Sequence, residues 1–226
     1  MSFFKASKKK EDVKSGGNSG YINASGCYPV NIIAPFANTS ENNSTTVDFY
    51  LDHEGQKQVL YGNLRITNRG GATNEIGFKT FNQLAIIADV EDVADPVDAE
   101  LPIGKDGKDK DVGVLEDLVD VDVILRVQME YSTYNKNIQE SKVIKGFYRA
   151  EDNASAEEIV NETEAGVQFE KDSKYFNNIT YKDGLDEATV KEWIDAGRPK
   201  GTAKESGSAA PAKKPSFGNK KAFGKK

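Results

Sequence analysis

Between Leu118 and Tyr131 the chain reads LVDVDVILRVQMEY, and Val119, Val121, Val123, Leu125, Val127 and Met129 fall at every second position. Successive side chains of a strand point to opposite faces, so this spacing predicts one long strand with a single apolar face. The stretch Thr45–Arg69, TTVDFYLDHEGQKQVLYGNLRITNR, predicts two more strands. Val47, Phe49 and Leu51 alternate with Thr46, Asp48 and Tyr50; Leu60, Gly62, Leu64 and Ile66 alternate with Val59, Tyr61, Asn63, Arg65 and Thr67. Gly55 in the intervening turn tolerates a positive φ, so the pair reads as a hairpin with one core face and one wet face.

A first strand is expected over Gly26–Ala34, where Tyr28, Val30 and Ile32 alternate. Pro29 lacks a ladder donor and belongs at an edge or a bulge. Pro35–Ser44 reads as a polar loop, and so does NRGGATNE after Thr67. Phe81, Leu84, Ala85, Ile87 and Ala88 then recur at helical spacing. From Glu91 to Glu116 the chain is acidic and turn-rich, which predicts a solvated surface insertion. Its alternating Asp and Lys do not make a calcium loop, because the glycine and closing glutamate are out of register with the aspartates. A tip at Ser132–Ser141 leads to a fifth strand, in which Lys142, Ile144 and Tyr148 alternate with Val143, Lys145 and Phe147. Three strands, a helix and a two-stranded hairpin follow the order of a five-stranded OB-fold barrel, so the expected class is mainly β with a helix between strands three and four.

Glu151–Glu164 is strongly acidic and reads as a helix or a solvated linker. Val167–Tyr181 carries enough aromatics to pack back on the barrel as an extra strand or two. Leu185, Val190, Trp193 and Ile194 form the apolar side of a further helix that begins near Asp186 and stops at Gly197. Trp193 docks that helix on the domain or offers its ring to a base. The two ends are rich in Lys, Gly, Ser, Ala or Pro and hold too little apolar surface to fold. The expected organisation is a disordered basic arm over 1–20, the barrel over 21–150, an acidic extension over 151–197 packing on the barrel, and a disordered basic tail over 198–226.

The formal net charge of −6 argues against a uniformly basic nucleic-acid binder, yet the charge is segregated along the chain. Lys8, Lys9 and Lys10 cluster near the start, and eight lysines stand against one glutamate after Pro199. The tail repeats a unit, Phe217-Gly-Asn-Lys220-Lys221 and Phe223-Gly-Lys225-Lys226, which suits adhesion to an anionic partner. One cysteine, Cys27, cannot close an internal disulfide, and with one histidine, His53, it cannot supply a zinc tetrad, so no metal and no cofactor is expected. No signal-peptide run opens the sequence and no segment approaches a membrane span, so a soluble cytoplasmic protein is expected.

For function, a wet face carrying Tyr50, Tyr61 and Arg65 offers planar rings for bases and a cation for phosphate. The competing reading is a half-buried sheet with ordinary surface tyrosines, since Tyr favours strands. No Walker loop, zinc pattern or nucleophile elbow is present, so no enzyme is expected. Asp120 and Asp122 pair on one face of the fourth strand as a metal-dependent nuclease would require, but the nearby Arg126 makes surface ion pairing the reading to prefer. A β-rich structural or scaffold protein without nucleic-acid binding is the alternative.

The segments SGCYPVNI, VDFYL and LYGNLRITNRGGATNEIGFKTFNQLAIIADVED resemble bacteriophage single-stranded-DNA-binding proteins of OB-fold type, over roughly Tyr21–Arg149. The resemblance implies a protein that coats and protects displaced single strands in phage DNA replication, recombination and repair. It implies a floor of Tyr50, Tyr61 and Arg65, and a clamp of Phe36 in the first loop with Tyr134 and Lys136 in the last. Arg69 and Lys79 lie near one rim. Many such proteins end in an acidic tip with a terminal aromatic, whereas this chain ends GNKKAFGKK. The basic tip therefore points to DNA, to the acidic 151–164 band of another copy in a homo-oligomer, or to an acidic surface on a DNA or RNA polymerase.

Overall fold

A computed structural model describes residues 20–201, so the basic arm and the Phe-Gly-Lys-Lys tail lie outside the described residues. Strand outweighs helix, 41% against 22%, and the strands make a curled antiparallel half-barrel sheet. The described residues divide into two compact units, one drawn from Met1–Tyr131 and Glu140–Thr180, the other from Ser132–Gln139 and Tyr181–Lys226.

The first unit is organised on β1 (Gly26–Thr39), which is longer than its sequence pattern suggests. Strands β2 (Thr45–His53) and β3 (Gln56–Arg65) form the expected hairpin beside its second half. The first half of β1 pairs antiparallel with β6 (Val121–Tyr134), and β7 (Asn137–Arg149) pairs with β6. Pro29 sits opposite Ile124 of β6, in the part of β1 that β2 has not yet reached, so its missing N–H breaks no ladder bond on that side. In β6 the apolar period is as read from Val123 onward, where Val123, Leu125, Val127, Met129 and Tyr131 are buried and their neighbours are not, whereas Val119, read as part of the same face, lies before the strand and is exposed.

The insertion departs from expectation. Instead of a solvated loop it contains a hairpin, β4 (Val97–Leu101) with β5 (Lys110–Val114), and β5 pairs with β1 at Phe36 and Ala37. With the two-residue β8 (Thr180–Tyr181), the described sheet has eight strands where five were expected. The added hairpin is what gives the sheet two apolar faces. Val30, Ile32, Phe49, Leu51, Leu125 and Phe147 belong to the main core, closed by α1 (Glu75–Ile87) through Leu84. Ala34, Phe36 and Tyr50 instead join Ile103, Val112 and Val114 of the insertion in a second, smaller core.

A β-bulge explains how β1 serves both cores. Ile32 faces Leu51 of β2 but Ala34 faces Tyr50, so Ile33 is one extra residue. A strand alternates with period two, so one inserted residue turns every later even-numbered side chain to the opposite face.

After β7 the chain forms α2 (Ala156–Val160) and α3 (Val167–Ser173). The block expected to add strands is thus mainly helical, and it packs back through rings: Tyr148 of β7 meets Phe169 edge-on at 5.0 Å, and Phe176 meets Phe169 at 5.0 Å. Ser155 and Glu158 make a reciprocal capping box at α2, and the Glu158 carboxylate also accepts from the Gly166 and Gln168 N–H groups. Burial alone raises the Glu158 carboxyl, but the bonds from Ser155, Gln168 and Gly166 outweigh it and hold the group below the ordinary Glu value. An unfolded chain binds more protons in that window, so this stability is present above the ordinary value and is lost as pH falls through the folded one. Glu158→Ala should cost about 2–3 kcal/mol at neutral pH, since it strands several buried donors. It should also flatten the acid limb of a stability-versus-pH curve, as denaturant titrations at pH 3 to 7 would show.

In the second unit, α4 (Glu187–Asp195) starts at the Asp186 cap, whose side chain accepts from the Thr189 N–H. Trp193 is buried, donates Nε1–H to the Pro199 carbonyl, and has the Arg198 guanidinium 5.8 Å from its ring. That supports packing over base stacking for this ring. Among the described residues no helix is long and apolar enough to cross a membrane.

Candidate nucleic-acid interface

On the outer face of β2 and β3 the ladder is interrupted. Val47 faces Leu64 and Phe49 faces Leu60, which leaves β3 two residues longer than β2 across the gap, with Gly62 at φ +66°. The looped-out stretch frees the Gly62 N–H, and the Asp48 carboxylate takes it while also accepting from Asn38 Nδ2. Burial pushes the Asp48 carboxyl above the usual Asp value; the Gly62 and Asn38 donors and the Lys110 charge pull the other way. Asp48 therefore works as a plug that holds the bulge open, and the bulge lifts Tyr61.

Of the two tyrosines on β2 and β3, Tyr61 is the exposed one, at 56%. Its ring stands edge-on to Phe36 at 6.4 Å, and its hydroxyl donates to the Ile103 carbonyl at 3.1 Å. Arg65, opposite Thr46 near the end of the same strand, is exposed. Tyr61 also lines a groove of about 400 Å³ with Gly62 on one wall and Lys142 and Val143 of β7 on the other; Glu130 and Glu140 lie in it as well. Both β3 and β7 pair on one side only among the described residues.

Two expected contacts need correction. Tyr50, read as part of a wet floor, is 7% exposed, and Phe36, read as a loop clamp, is fully buried within β1. The reason is the same for both: the β4–β5 hairpin covers the half of the outer face where they lie. The structure does bring Phe36, Tyr50 and Tyr61 together, but with Tyr61 as the exposed member of a small core.

The remaining expected residues are solvent-facing. Arg69 is exposed in the 66–74 loop, which is tied to the β1–β2 turn by the Gly70 N–H to Asn42 carbonyl bond. Lys79 on α1 is exposed, with its Nζ 3.9 Å from Glu75, a pair worth little in water. Tyr134, 69% exposed, and Lys136, at φ +62°, belong to the β6–β7 turn in the second unit. Sequence reasoning missed Asp48, Ile103 and Lys142. A charged residue inside an otherwise apolar strand is the signal that marked Asp48.

The carboxylate pair and the histidine have structural partners. Asn31 Nδ2 donates to both Asp120 and Asp122, at 2.9 and 3.0 Å, while Arg126 pairs with Asp172 at 3.2 Å instead of with either. His53 is buried with Nδ1 2.8 Å from the Pro29 carbonyl, so Nδ1 carries the proton. Burial, partly offset by the Arg126 guanidinium, pushes the Cys27 thiol up to about 12. Alkylation needs the thiolate, so Cys27 should react with iodoacetamide at pH 8 roughly a thousandfold slower than a free thiol. A rate near the free one would contradict its placement.

A scan of the sequence against protein-family models gave no match, and a search of curated proteins likewise found none.

Proposed function

We propose that this chain is a single-stranded-DNA-binding protein that coats and protects single strands without sequence preference, in phage DNA replication, recombination and repair. One observation carries the reading: Tyr61 stands exposed on the outer face of a curled sheet, braced by Phe36 and pinned to Ile103, with Arg65 on the same strand. A ring already held in place loses little freedom when a base stacks on it, and stacking accepts any base.

The strand order supports an OB-type barrel: a β1–β2–β3 meander, α1, then β6 antiparallel to β1 with β7 outside it. In such a barrel Arg69 and Lys79 would serve as rim contacts, and Tyr134 and Lys136, on the β6–β7 turn of the second unit, would add clamp contacts of their own. Charge sets a further condition. Residues 20–201 hold 18 Lys and Arg against 33 Asp and Glu, while the two ends hold 12 Lys against three acidic residues. The body repels a polyanion, so the cationic ends supply much of the phosphate neutralisation, and the tail is also suited to an acidic surface on a polymerase. The protein binds and performs no chemistry, and it works in the cytoplasm of the host.

Gel shifts with unlabelled single strand, double strand and RNA as competitors test this. Single strands should compete best, and affinity should fall steeply with salt because releasing counterions into a more concentrated solution gains less free energy. Tyr61→Ala should weaken binding by about 1–3 kcal/mol, the range of a lost base stack, with only a small change in melting temperature. Absence of binding to any nucleic acid would favour the structural-protein alternative.

A further inference from the structure

We propose that the chain's own C-terminal segment, Phe217–Lys226, docks in an acidic groove on the first unit, at the β2–β3 turn end of the sheet. The groove holds about 800 Å³ and lies where the first half of β1 meets the β2–β3 turn and the start of β6. Its lining includes the apolar Pro29, Ile33 and Val119, the last of them 41% exposed. Its rim carries Asp52, Glu54, Asp120 and Asp122 against a single cation, Lys57. Asn31 holds the last two carboxylates in place, and the Gly55 N–H fixes Asp52.

A ligand that fits must bring an apolar group for the apolar lining and cations for the rim. The tail brings both, twice: a phenylalanine, one or two small residues, then paired lysines. The glycine after each phenylalanine lets the backbone lie close to the groove wall. A purely cationic segment would match the rim and leave the apolar lining wet, so the interleaved aromatic is the feature that selects this groove over the other acidic surfaces. Fifteen residues lie between Gly201 and Phe217 and span roughly 50 Å when extended, which gives the segment a long reach. Tethering places the segment at roughly millimolar effective concentration, so weak docking is enough.

Zero-length carbodiimide cross-linking of the full chain, with equal parts ¹⁵N-labelled and unlabelled protein and peptide mapping, tests the proposal. Lys220, Lys221, Lys225 and Lys226 should join Glu54, Asp120 and Asp122 in products of a single isotope. The double variant Phe217→Ala/Phe223→Ala keeps every charge and changes none of the described residues, and it should lower that yield at least fivefold. Raising salt should lower it too. An even spread of links over all acidic residues, concentration on 151–164, or an unchanged yield in the double variant would overturn the proposal. Mixed-isotope products would overturn it as well, by making the occupant a second copy.

Discussion

Gly77→Ala should lower the stability of the protein by about 2–3 kcal/mol or more, even though alanine is the better helix former by about 1 kcal/mol. A Cβ at position 77 would lie 1.9 Å from the Arg65 carbonyl oxygen and 2.8 Å from its carbon. Those are backbone atoms at the end of β3, so no side chain can swing aside; α1 has to move, and Leu84 leaves the main core with it. The melting temperature should fall by roughly 5–10 °C. Because the displaced strand end carries Arg65, DNA affinity should drop in the same variant. An unchanged melting temperature would mean that α1 is not seated on β3 as described.

Phe36→Ala should have the largest effect of any single truncation on the outer face, about 3–5 kcal/mol of stability. Phe36 is fully buried between the sheet and the insertion hairpin, and it also braces Tyr61. The pairing with Tyr61→Ala is informative, because the resemblance would make both residues DNA contacts. If Phe36 is structural, its loss appears first in thermal unfolding, and affinity falls only through the unsupported Tyr61. Tyr61→Ala should do the reverse. Phe36→Ala protein with normal melting and weakened DNA binding would restore the clamp reading.

The contrast between those two rings shows what a sequence of this kind exposes. The face of β6 was legible because Val123, Leu125 and Val127 meet a single core, and the β2–β3 hairpin was legible from Gly55 and the alternation around it. Phe36 was not, because the bulge at Ile33 reverses the face of every residue after it, and nothing in VNIIAPF marks the extra residue. Tyr50 and Tyr61 have equivalent patterns. What separates them is cover from a hairpin about 50 residues later, a tertiary contact outside any local window. That hairpin did leave a trace: Ala99 and Leu101, and Val112 and Val114, alternate with charged or small neighbours, but the density of Asp and Lys hid the period. The Ser155-x-x-Glu158 capping box was open to reading in the same way and would have favoured helix over linker.

Of the expected floor and clamp, Tyr61 and Arg65 on β3 are the residues on which the functional reading now rests. Photo-cross-linking of the full chain to an oligothymidylate carrying 5-iododeoxyuridine, followed by mass-spectrometric mapping, tests that most directly, since the iodinated base couples to the aromatic ring it stacks on. The account predicts a principal adduct on Tyr61, lost in Tyr61→Ala and suppressed by unlabelled single strand but not by duplex. Adducts confined to the lysine-rich ends, or none at all, would contradict it.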